Sequence, residues 1–206
     1  MFTGLPLRTY LEKMAEPAFP SPKGGSAAAL AGALAGALLS MSAQVTAKKS
    51  PQLPLSKVWT QAENISKELS HLADRDVQAY LQVIEAHRLL RQQGTDARKG
   101  KEAIEEALQK ATETLLEIAE NCSRLLELEE MLAPICRKSC RGDLEAARLL
   151  ALASLQASLE LAASNYSRIL AGEFRRMVDK RIRHFRQKIR SVLGNGRPLP
   201  GDDPWQ

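Results

Sequence analysis

Residues 20–47 read PSPKGGSAAALAGALAGALLSMSAQVTA, a turn rich in proline and glycine that leads directly into a run without charge. From Ser26 to Ala47 the run consists mostly of Ala, Gly, Leu and Ser, a composition that predicts a helix. The two glycines before it leave backbone N–H groups of the first turn uncovered, and such groups bind an anion or the polar edge of a ligand. This stretch therefore predicts both the central helix of the fold and one end of a binding site.

The predicted helix has two unlike faces. Small residues recur every three or four positions on one face, and bulky residues recur in the same way on the other. The small face predicts the close approach of a second helix, and the bulky face is expected to fill a core. The small face comprises Gly25, Ala29, Gly32, Gly36, Ser40 and Ala43, and the bulky face comprises Leu30, Leu34, Leu38, Met41 and Val45.

A membrane span is the alternative interpretation of the same run. It is long enough to cross a bilayer, and Gly32 and Gly36 have the spacing of a transmembrane packing motif. However, four polar residues lie between positions 40 and 46, the chain beyond them is typical of long amphipathic helices, and no second apolar span is evident. These features favour a buried helix in a soluble bundle.

The bulk composition is that of one soluble domain. The chain has 206 residues, of which 44% are hydrophobic, 26% charged and 4% aromatic, so its core is expected to be built from Leu, Ala, Ile and Val. Three cysteines without close pairing argue against a disulfide framework and for a reducing compartment. The first residues lack a long apolar stretch, so we expect no signal peptide and a cytoplasmic location.

Helical periodicity dominates the chain, and no strand pattern is visible. We predict an all-α fold, a helical bundle of about six helices around the central Ala/Gly-rich helix. Gly94 is expected to end the third helix. A single domain is predicted over residues 1–193 and a disordered tail over 194–206. The six helices are predicted near residues 5–15, 26–47, 56–93, 96–137, 144–170 and 174–192.

The last predicted helix is strongly basic. Between Arg175 and Arg190, eight lysines and arginines stand against a single acid, Asp179, although the whole chain has a net charge of only +5. Apolar residues keep helical spacing through this stretch, so the helix is amphipathic. Its basic face is either an ordinary solvated surface or a binding surface for a polyanion, such as nucleic acid, a membrane surface or a polycarboxylate ligand.

Polar side chains stand at apolar positions of two helices. Asp76 lies on the inner seam of the third helix, and such a carboxylate is either paired with a cation or exposed to a cavity where chemistry occurs. Asn165 lies in a seam of small residues on the fifth helix, and Asp143 could simply cap the start of that helix. The cysteines lack further ligands at zinc-site spacing, so no metal site is predicted.

Five segments in register resemble the cyclodeaminase/cyclohydrolase family. Its members are the C-terminal domain of formiminotransferase-cyclodeaminase and free-standing methenyltetrahydrofolate cyclohydrolases. The likeness covers residues 5–190, and the sequence departs from the family pattern at Lys23, Ala47, Leu115, Gly142 and Ile169. The segments are PSPKGGSAAALAGALAGALLSM, VTAKKS, DRDVQAYLQVIEAHRL, KEAIEEALQKATETLLEIAENCSRLLEL and GDLEAARLLALASLQASLELAASNYSRI.

The resemblance implies a folate one-carbon enzyme, which opens or closes the five-membered ring that bridges two folate nitrogens. A methenyltetrahydrofolate cyclohydrolase adds water to the methenyl carbon, and a formimidoyltetrahydrofolate cyclodeaminase expels ammonia as the ring closes. Asp76 and Asp143 are the implied catalytic residues, because a carboxylate stabilises the cationic ring and can move a proton. The implied substrate-binding residues are Gly24, Gly25, Ser26, Thr46, Lys48, Lys49 and Asn165.

The resemblance also implies partners. The tetrahydrofolate derivative is the substrate, with no separate cofactor, and a polyglutamate tail on it would suit the basic sixth helix. A homodimer with sites near the interface is expected, with no membrane partner. Two other interpretations stay open: an inactive family member that binds folate or a protein, and a nucleic-acid-binding bundle that uses the face between Arg175 and Arg190.

Overall fold

The protein is described by a computed structural model over residues 1–92, 97–170 and 172–194. These residues form six α-helices and two short 3₁₀ turns, with no strand among them, which confirms the prediction of an all-α bundle. Gly94, expected to end the third helix, and residues 195–206 of the expected tail lie outside the described residues. The helices are α1 Leu7–Ala15, α2 Gly24–Lys49, α3 Ser56–Gln92, α4 Ala97–Leu132, α5 Arg141–Tyr166 and α6 Gly172–Gly194.

The main difference in helix bounds lies between α4 and α5. The fourth helix ends at Leu132 rather than near 137, because Pro134 lacks the N–H that would continue the helical hydrogen bonds. Two 3₁₀ turns, Ala133–Ile135 and Lys138–Cys140, then lead into α5, which begins at Arg141 rather than at 144.

The small residues of α2 allow its neighbours to approach its backbone. Ser66 on α3 donates a hydrogen bond to the Ala33 carbonyl (2.7 Å), and Ser154 on α5 donates one to the Ala28 carbonyl (2.6 Å). A Cβ added at Gly36 would lie 2.9 Å from the carbonyl oxygen of Ala62 on α3, so a larger residue would push α3 away. The predicted close approach of helices along this face is confirmed.

The prediction that the bulky face of α2 fills a core holds only in part, because Leu30, Leu38 and Val45 pack against the core but stay partly exposed. The small face is the one that lies in the core, where Ala29 and Ala43 are fully buried. On the opposite face Leu34 is 60% exposed and Met41 is 36% exposed. The reason is that α3, α4 and α5 surround the small face and fill the core with their own leucines, which leaves Leu34 and Met41 pointing outward.

The expectation that no second apolar span exists is also wrong. Two helical segments, Gly24–Lys49 and Lys138–Tyr166, are long and apolar enough to cross a bilayer by length and composition. Inside the bundle, 61% of the apolar window of the first segment is buried. That degree of burial is expected of the core helix of a globular protein, which passes the same test of composition.

The basic helix α6 packs on α4 and α5 through Val178, Ile182 and Phe185. Four of its eight cations are paired with acids, three of them on α4 and α5, and this pairing favours the interpretation of its basic face as ordinary solvated surface. The Arg175 guanidinium instead lies over the Tyr166 ring, 4.6 Å from its centroid. The ion pairs are Arg181 with Glu120, Arg183 with Asp179, Arg186 with Glu160 and Lys188 with Glu127.

Candidate active site

The first turn of α2 meets the middle of α3 at Gly25 and Asp76. A Cβ added at Gly25 would lie 2.6 Å from Asp76 Oδ2 and closer still to Oδ1 and Cγ, so only glycine leaves room for the carboxylate. The backbone N–H of Ser26 donates a hydrogen bond to that carboxylate. The negative charge of Asp76 therefore lies at the positive end of the α2 dipole.

Burial governs the acidity of Asp76. Desolvation raises the pKa of its carboxyl from 3.8 to about 6, and the hydrogen bond from Ser26 opposes this rise only in part. No cation within the described part of the chain contributes to the shift or forms an ion pair with Asp76. Of the two interpretations of this carboxylate, pairing with a cation is therefore not supported.

Tyr10 on α1 belongs to the same end of the bundle, although the sequence interpretation gave it no role. Its hydroxyl lies 2.7 Å from the Ser26 hydroxyl, and its side chain is buried. Burial raises the pKa of the Tyr10 phenol above its usual value, and the charges of Asp74 and Asp76 add to this rise. The signal that could have identified it is a tyrosine on the otherwise aliphatic face of a short amphipathic helix.

Two aromatic rings and a lysine lie at the rim of this site. Tyr80 follows Asp76 by one turn of α3, and its ring centroid is 5.4 Å from that of Phe19, with the ring planes tilted by 46°. Lys23 Nζ lies 5.5 Å from the centroid of the Phe19 ring and donates a hydrogen bond to the Glu16 carbonyl (2.7 Å). Lys23 directly precedes the glycines, so the rim is continuous with the first turn of α2.

The C-terminal end of α5 reaches the same end of the bundle. A Cβ added at Gly24 would lie 3.3 Å from Leu161 Cδ1, which places Leu161 over the first residue of α2. Asn165 follows Leu161 by one turn and is partly buried. The structure therefore brings Gly24, Gly25, Ser26, Asp76 and Asn165 to one end of the bundle. 

The other predicted binding residues on α2 lie at its far end. Thr46 follows Gly25 by 21 residues of continuous helix, a distance of about 31 Å along the axis. Its buried hydroxyl donates to the Ser42 carbonyl (2.8 Å) and accepts a hydrogen bond from the Arg137 N–H (3.2 Å). Lys48 and Lys49 are exposed at the end of the helix, so within one chain these three residues do not reach the Asp76 carboxylate.

Asp143 also lies at the far end. It is exposed in the first turn of α5, 11 residues or about 16 Å before Ser154, and Ser154 already contacts the middle of α2. The N-cap residue of α5 is Cys140, so the alternative interpretation of Asp143 as the N-cap is wrong. The two implied catalytic residues therefore do not meet within a single chain, because Asp76 lies against the start of α2 and Asp143 lies in the first turn of the antiparallel α5.

The far end holds a buried polar cluster that the sequence interpretation missed. Glu129 on α4 is only 2% exposed, and its charge acts on both Arg148 and Cys136. Arg148 in turn forms a short ion pair with Glu145, one turn earlier on α5 (2.5 Å). The sequence pattern that identified Asp76, an acid at an apolar position of a helix, could also have identified Glu129, which lies among leucines at helical spacing.

A groove of about 510 Å³ opens beside the far end, between Lys48 on α2 and Trp59 on α3. It is lined in addition by Gln44, Ala47 and residues of the connecting turn.

No group of three His, Cys, Asp or Glu residues that could hold a metal ion occurs in residues 1–92, 97–170 and 172–194.

Comparison with known proteins gives consistent matches. The family model described as formiminotransferase-cyclodeaminase matches residues 6–184. The methenyltetrahydrofolate cyclohydrolase of Methylorubrum extorquens is 32% identical over 158 residues, which cover 74% of each chain. The crystal structure of formiminotetrahydrofolate cyclodeaminase from Thermotoga maritima superimposes with a TM-score of 0.76 over 95% of this chain and 98% of that chain. At 22% identity, this structural likeness shows a shared fold.

Proposed function

The chain belongs to the formiminotransferase-cyclodeaminase family, and on this premise we propose that it is an enzyme acting on a one-carbon derivative of tetrahydrofolate. Its proposed reaction is the hydrolysis of methenyltetrahydrofolate, the activity named for its relative at 32% identity. The observation that carries the proposal is the Asp76 carboxylate, which lies partly buried against Gly25 and has no cationic partner in the described part of the chain. Burying an anion without a partner costs free energy, and a cationic substrate would offset this cost by pairing with the carboxylate.

The chemistry of the proposed substrate fits this carboxylate. The methenyl carbon belongs to an amidinium cation, and the negative charge of Asp76 stabilises that cation. When water attacks the carbon, a C–O bond forms and Asp76 accepts a proton from the water. One ring C–N bond then breaks as Asp76 returns the proton to the departing nitrogen, and the hydroxyl on the carbon loses its proton to solvent as the formyl C=O forms. A pKa of about 6 suits a group that must both accept and donate a proton near neutral pH.

The remaining residues at this end are proposed to orient the ring system. The free N–H groups of the first turn, at Gly24 and Gly25, can donate hydrogen bonds to the polar edge of the pterin. The hydroxyl of Ser26 is held by Tyr10, and Asn165 supplies an amide nearby. We propose that the folate derivative is itself the substrate and that no separate cofactor takes part.

The experiment that tests this function follows the loss of methenyltetrahydrofolate absorbance when the purified protein is added. We expect a rate well above that of hydrolysis in buffer. Formiminotetrahydrofolate is the second substrate to test, and release of ammonia from it would identify a cyclodeaminase instead. If neither substrate reacts faster than in buffer, the protein is an inactive family member and the proposed activity is refuted.

We further propose that a second copy of the chain completes the site. The outward face of α2 carries an apolar stripe that is open at Leu34 (60% exposed) and Met41 (36% exposed), while Leu30 and Leu38 pack in part against the core. Its midpoint, near residue 36, is also the midpoint between Gly25 and Thr46. A two-fold axis through this point would pair the two copies of α2 in antiparallel orientation. The stripe comprises Leu30, Leu34, Ala37, Leu38 and Met41.

In such a homodimer the two halves of the predicted site meet. Gly25 of one chain and Thr46 of the other would lie at the same distance from the axis, on the same side of it. Asp76 would then lie at the same end of the dimer as the groove beside Lys48 and as Asp143 of the second chain. This arrangement would account for why residues that the resemblance assigns to one site lie about 31 Å apart along α2 within a single chain.

Mixing two inactive variants tests the shared site. We expect Asp76→Asn and Asp143→Asn each to be inactive alone and to regain about a quarter of wild-type activity when co-refolded in equal amounts. Half of the dimers would then be heterodimers, and each heterodimer would carry one site with both aspartates. The measurement is the initial rate of methenyltetrahydrofolate loss before and after co-refolding.

The control for this experiment separates assembly from folding. Leu34→Glu is expected to yield a folded, inactive monomer by sedimentation, whereas Leu193→Glu, at another exposed leucine, should remain dimeric and active. An active Leu34→Glu monomer, or co-refolded variants that regain nothing, would contradict a site shared between two chains.

A further inference from the structure

Two aromatic side chains stay exposed at the rim of the Asp76 site. Phe19 is 46% exposed and Tyr80 is 43% exposed, although only 4% of the residues in this chain are aromatic. Their ring centroids lie 5.4 Å apart, with the ring planes tilted by 46°. Exposed paired rings beside a buried carboxylate are typical of a surface on which another planar group stacks.

Lys23 places a positive charge at the outer edge of the same surface. Its ammonium lies 5.5 Å from the centre of the Phe19 ring and uses one donor for the Glu16 carbonyl. An ammonium group has three donors, so two can still bind an anion. Contacts therefore link an anion, an aromatic pair and a cation: Tyr80 lies one turn from Asp76 on α3 and contacts Phe19, and the Phe19 ring lies beside Lys23.

We propose that Phe19, Tyr80 and Lys23 form an outer subsite that binds the aryl–glutamate part of the substrate. In this subsite the benzoyl ring stacks on the aromatic pair, and the glutamate carboxylate meets the Lys23 ammonium. The inference rests on the proposed function, because it takes the substrate to be a tetrahydrofolate derivative. It extends that function by assigning the residues that distinguish a glutamylated folate from a bare pteroate.

The order of groups in the substrate matches the order of groups in the protein. The nitrogen that carries the one-carbon group is bonded directly to the benzoyl ring, so that ring lies next to the reacting carbon. Tyr80 follows Asp76 by one helical turn, a rise of about 6 Å, so a ring stacked on Tyr80 would lie beside the carboxylate. The glutamate extends from the far side of the ring, toward the position of Lys23.

The test compares two stable analogues that differ only in the glutamate, 5-formyltetrahydrofolate and 5-formyltetrahydropteroate. Calorimetry should show that the wild-type protein binds the folate about tenfold more tightly than the pteroate. Lys23→Gln should reduce this preference to less than about twofold by weakening only the folate complex. Lys101→Gln, an exposed lysine on α4, is the matched control and should keep the wild-type preference.

The aromatic pair has a separate expected signature. Tyr80→Leu should weaken both analogues by about the same factor, five- to tenfold, because the benzoyl ring is common to them. Tyr80→Phe keeps the ring and should restore wild-type binding. A phenylalanine variant as weak as the leucine variant would contradict stacking.

The binding experiment tests the outer subsite, and the activity experiment tests the proposed catalysis, so either can be refuted without the other. A wild-type protein that hydrolyses methenyltetrahydrofolate, with a Lys23→Gln variant that keeps the full preference for glutamate, would overturn the subsite alone. A preference that depends on Lys23 in a protein without turnover would overturn the proposed catalysis alone. A wild-type protein that binds both analogues equally, or neither, would overturn the subsite.

Discussion

Replacement of Asp76 by asparagine is expected to lower kcat/KM for methenyltetrahydrofolate by about 10²–10⁴-fold, the usual range for loss of a general acid–base group. Asparagine has the size of aspartate and still accepts the hydrogen bond from the Ser26 N–H, so the site should keep its shape. What is lost is the negative charge that stabilises the cation and the ability to move a proton. The measurement is the initial rate at several substrate concentrations.

The same substitution is expected to stabilise the fold at pH 8. Burial raises the pKa of Asp76 to about 6 in the folded chain from 3.8, so the ionised carboxylate costs up to about 3 kcal/mol of folding free energy. Between pH 3.8 and about pH 6 the folded chain binds more protons than the unfolded chain. The free energy of unfolding therefore falls as the pH rises through this window. Asparagine carries no charge, so urea unfolding should show a gain of about 1–3 kcal/mol at pH 8 and a smaller gain at pH 5.

Asp179→Asn, an exposed acid on α6, is the control and should change activity little. An Asp76→Asn variant that is both inactive and less stable than wild type at pH 8 would identify Asp76 as a structural group, contrary to its proposed role.

Gly25→Ala is the second substitution with a large expected effect. The added methyl group would occupy the place of the Asp76 carboxylate, since its carbon would lie 2.6 Å from Oδ2 and closer to two other atoms of that side chain. Either Asp76 rotates away or α2 shifts from α3, and overpacking of this kind costs about 1–3 kcal/mol of stability. We expect kcat/KM to fall by at least about 100-fold, because small displacements of a catalytic group reduce rates by that order.

Gly24→Ala is the matched control for this prediction. Its added methyl group would meet only the end of the Leu161 side chain, at 3.3 Å, and that side chain can rotate. The two variants differ by one position on the same helix turn, so a general effect of alanine on α2 would appear in both. Equal activity in Gly24→Ala and Gly25→Ala would contradict the assigned contact between Gly25 and Asp76.

The sequence was sufficient to predict the bundle, and it drew attention to the two residues that contact each other in the candidate site. Asp76 was recognisable as a carboxylate in an apolar seam, and Gly25 as part of a turn that opens a small-residue helix. The separation of Gly25 from Thr46 was also calculable, because both lie on one unbroken helix with a known rise per residue. The family resemblance assigned Gly25 and Thr46 to one site, and that assignment did not take their separation along the helix into account.

Other features depended on packing that one sequence does not specify. Periodicity shows that α2 has a small face and a bulky face, but which face turns inward depends on how closely α3 and α5 approach. That choice placed Leu34 on the outside. Tyr10 joins the site only because α1 folds back to Ser26, a contact between helices joined by a loop of irregular conformation.

The pH dependence of methenyltetrahydrofolate hydrolysis tests the central claim most directly. After subtraction of the rate in buffer, kcat/KM of the wild-type protein should rise with pH through a midpoint near 6, as Asp76 loses its proton, and this acid limb should be absent from the residual activity of Asp76→Asn. A wild-type rate no greater than that of buffer, or an acid limb that persists unchanged in the Asp76→Asn variant, would contradict it.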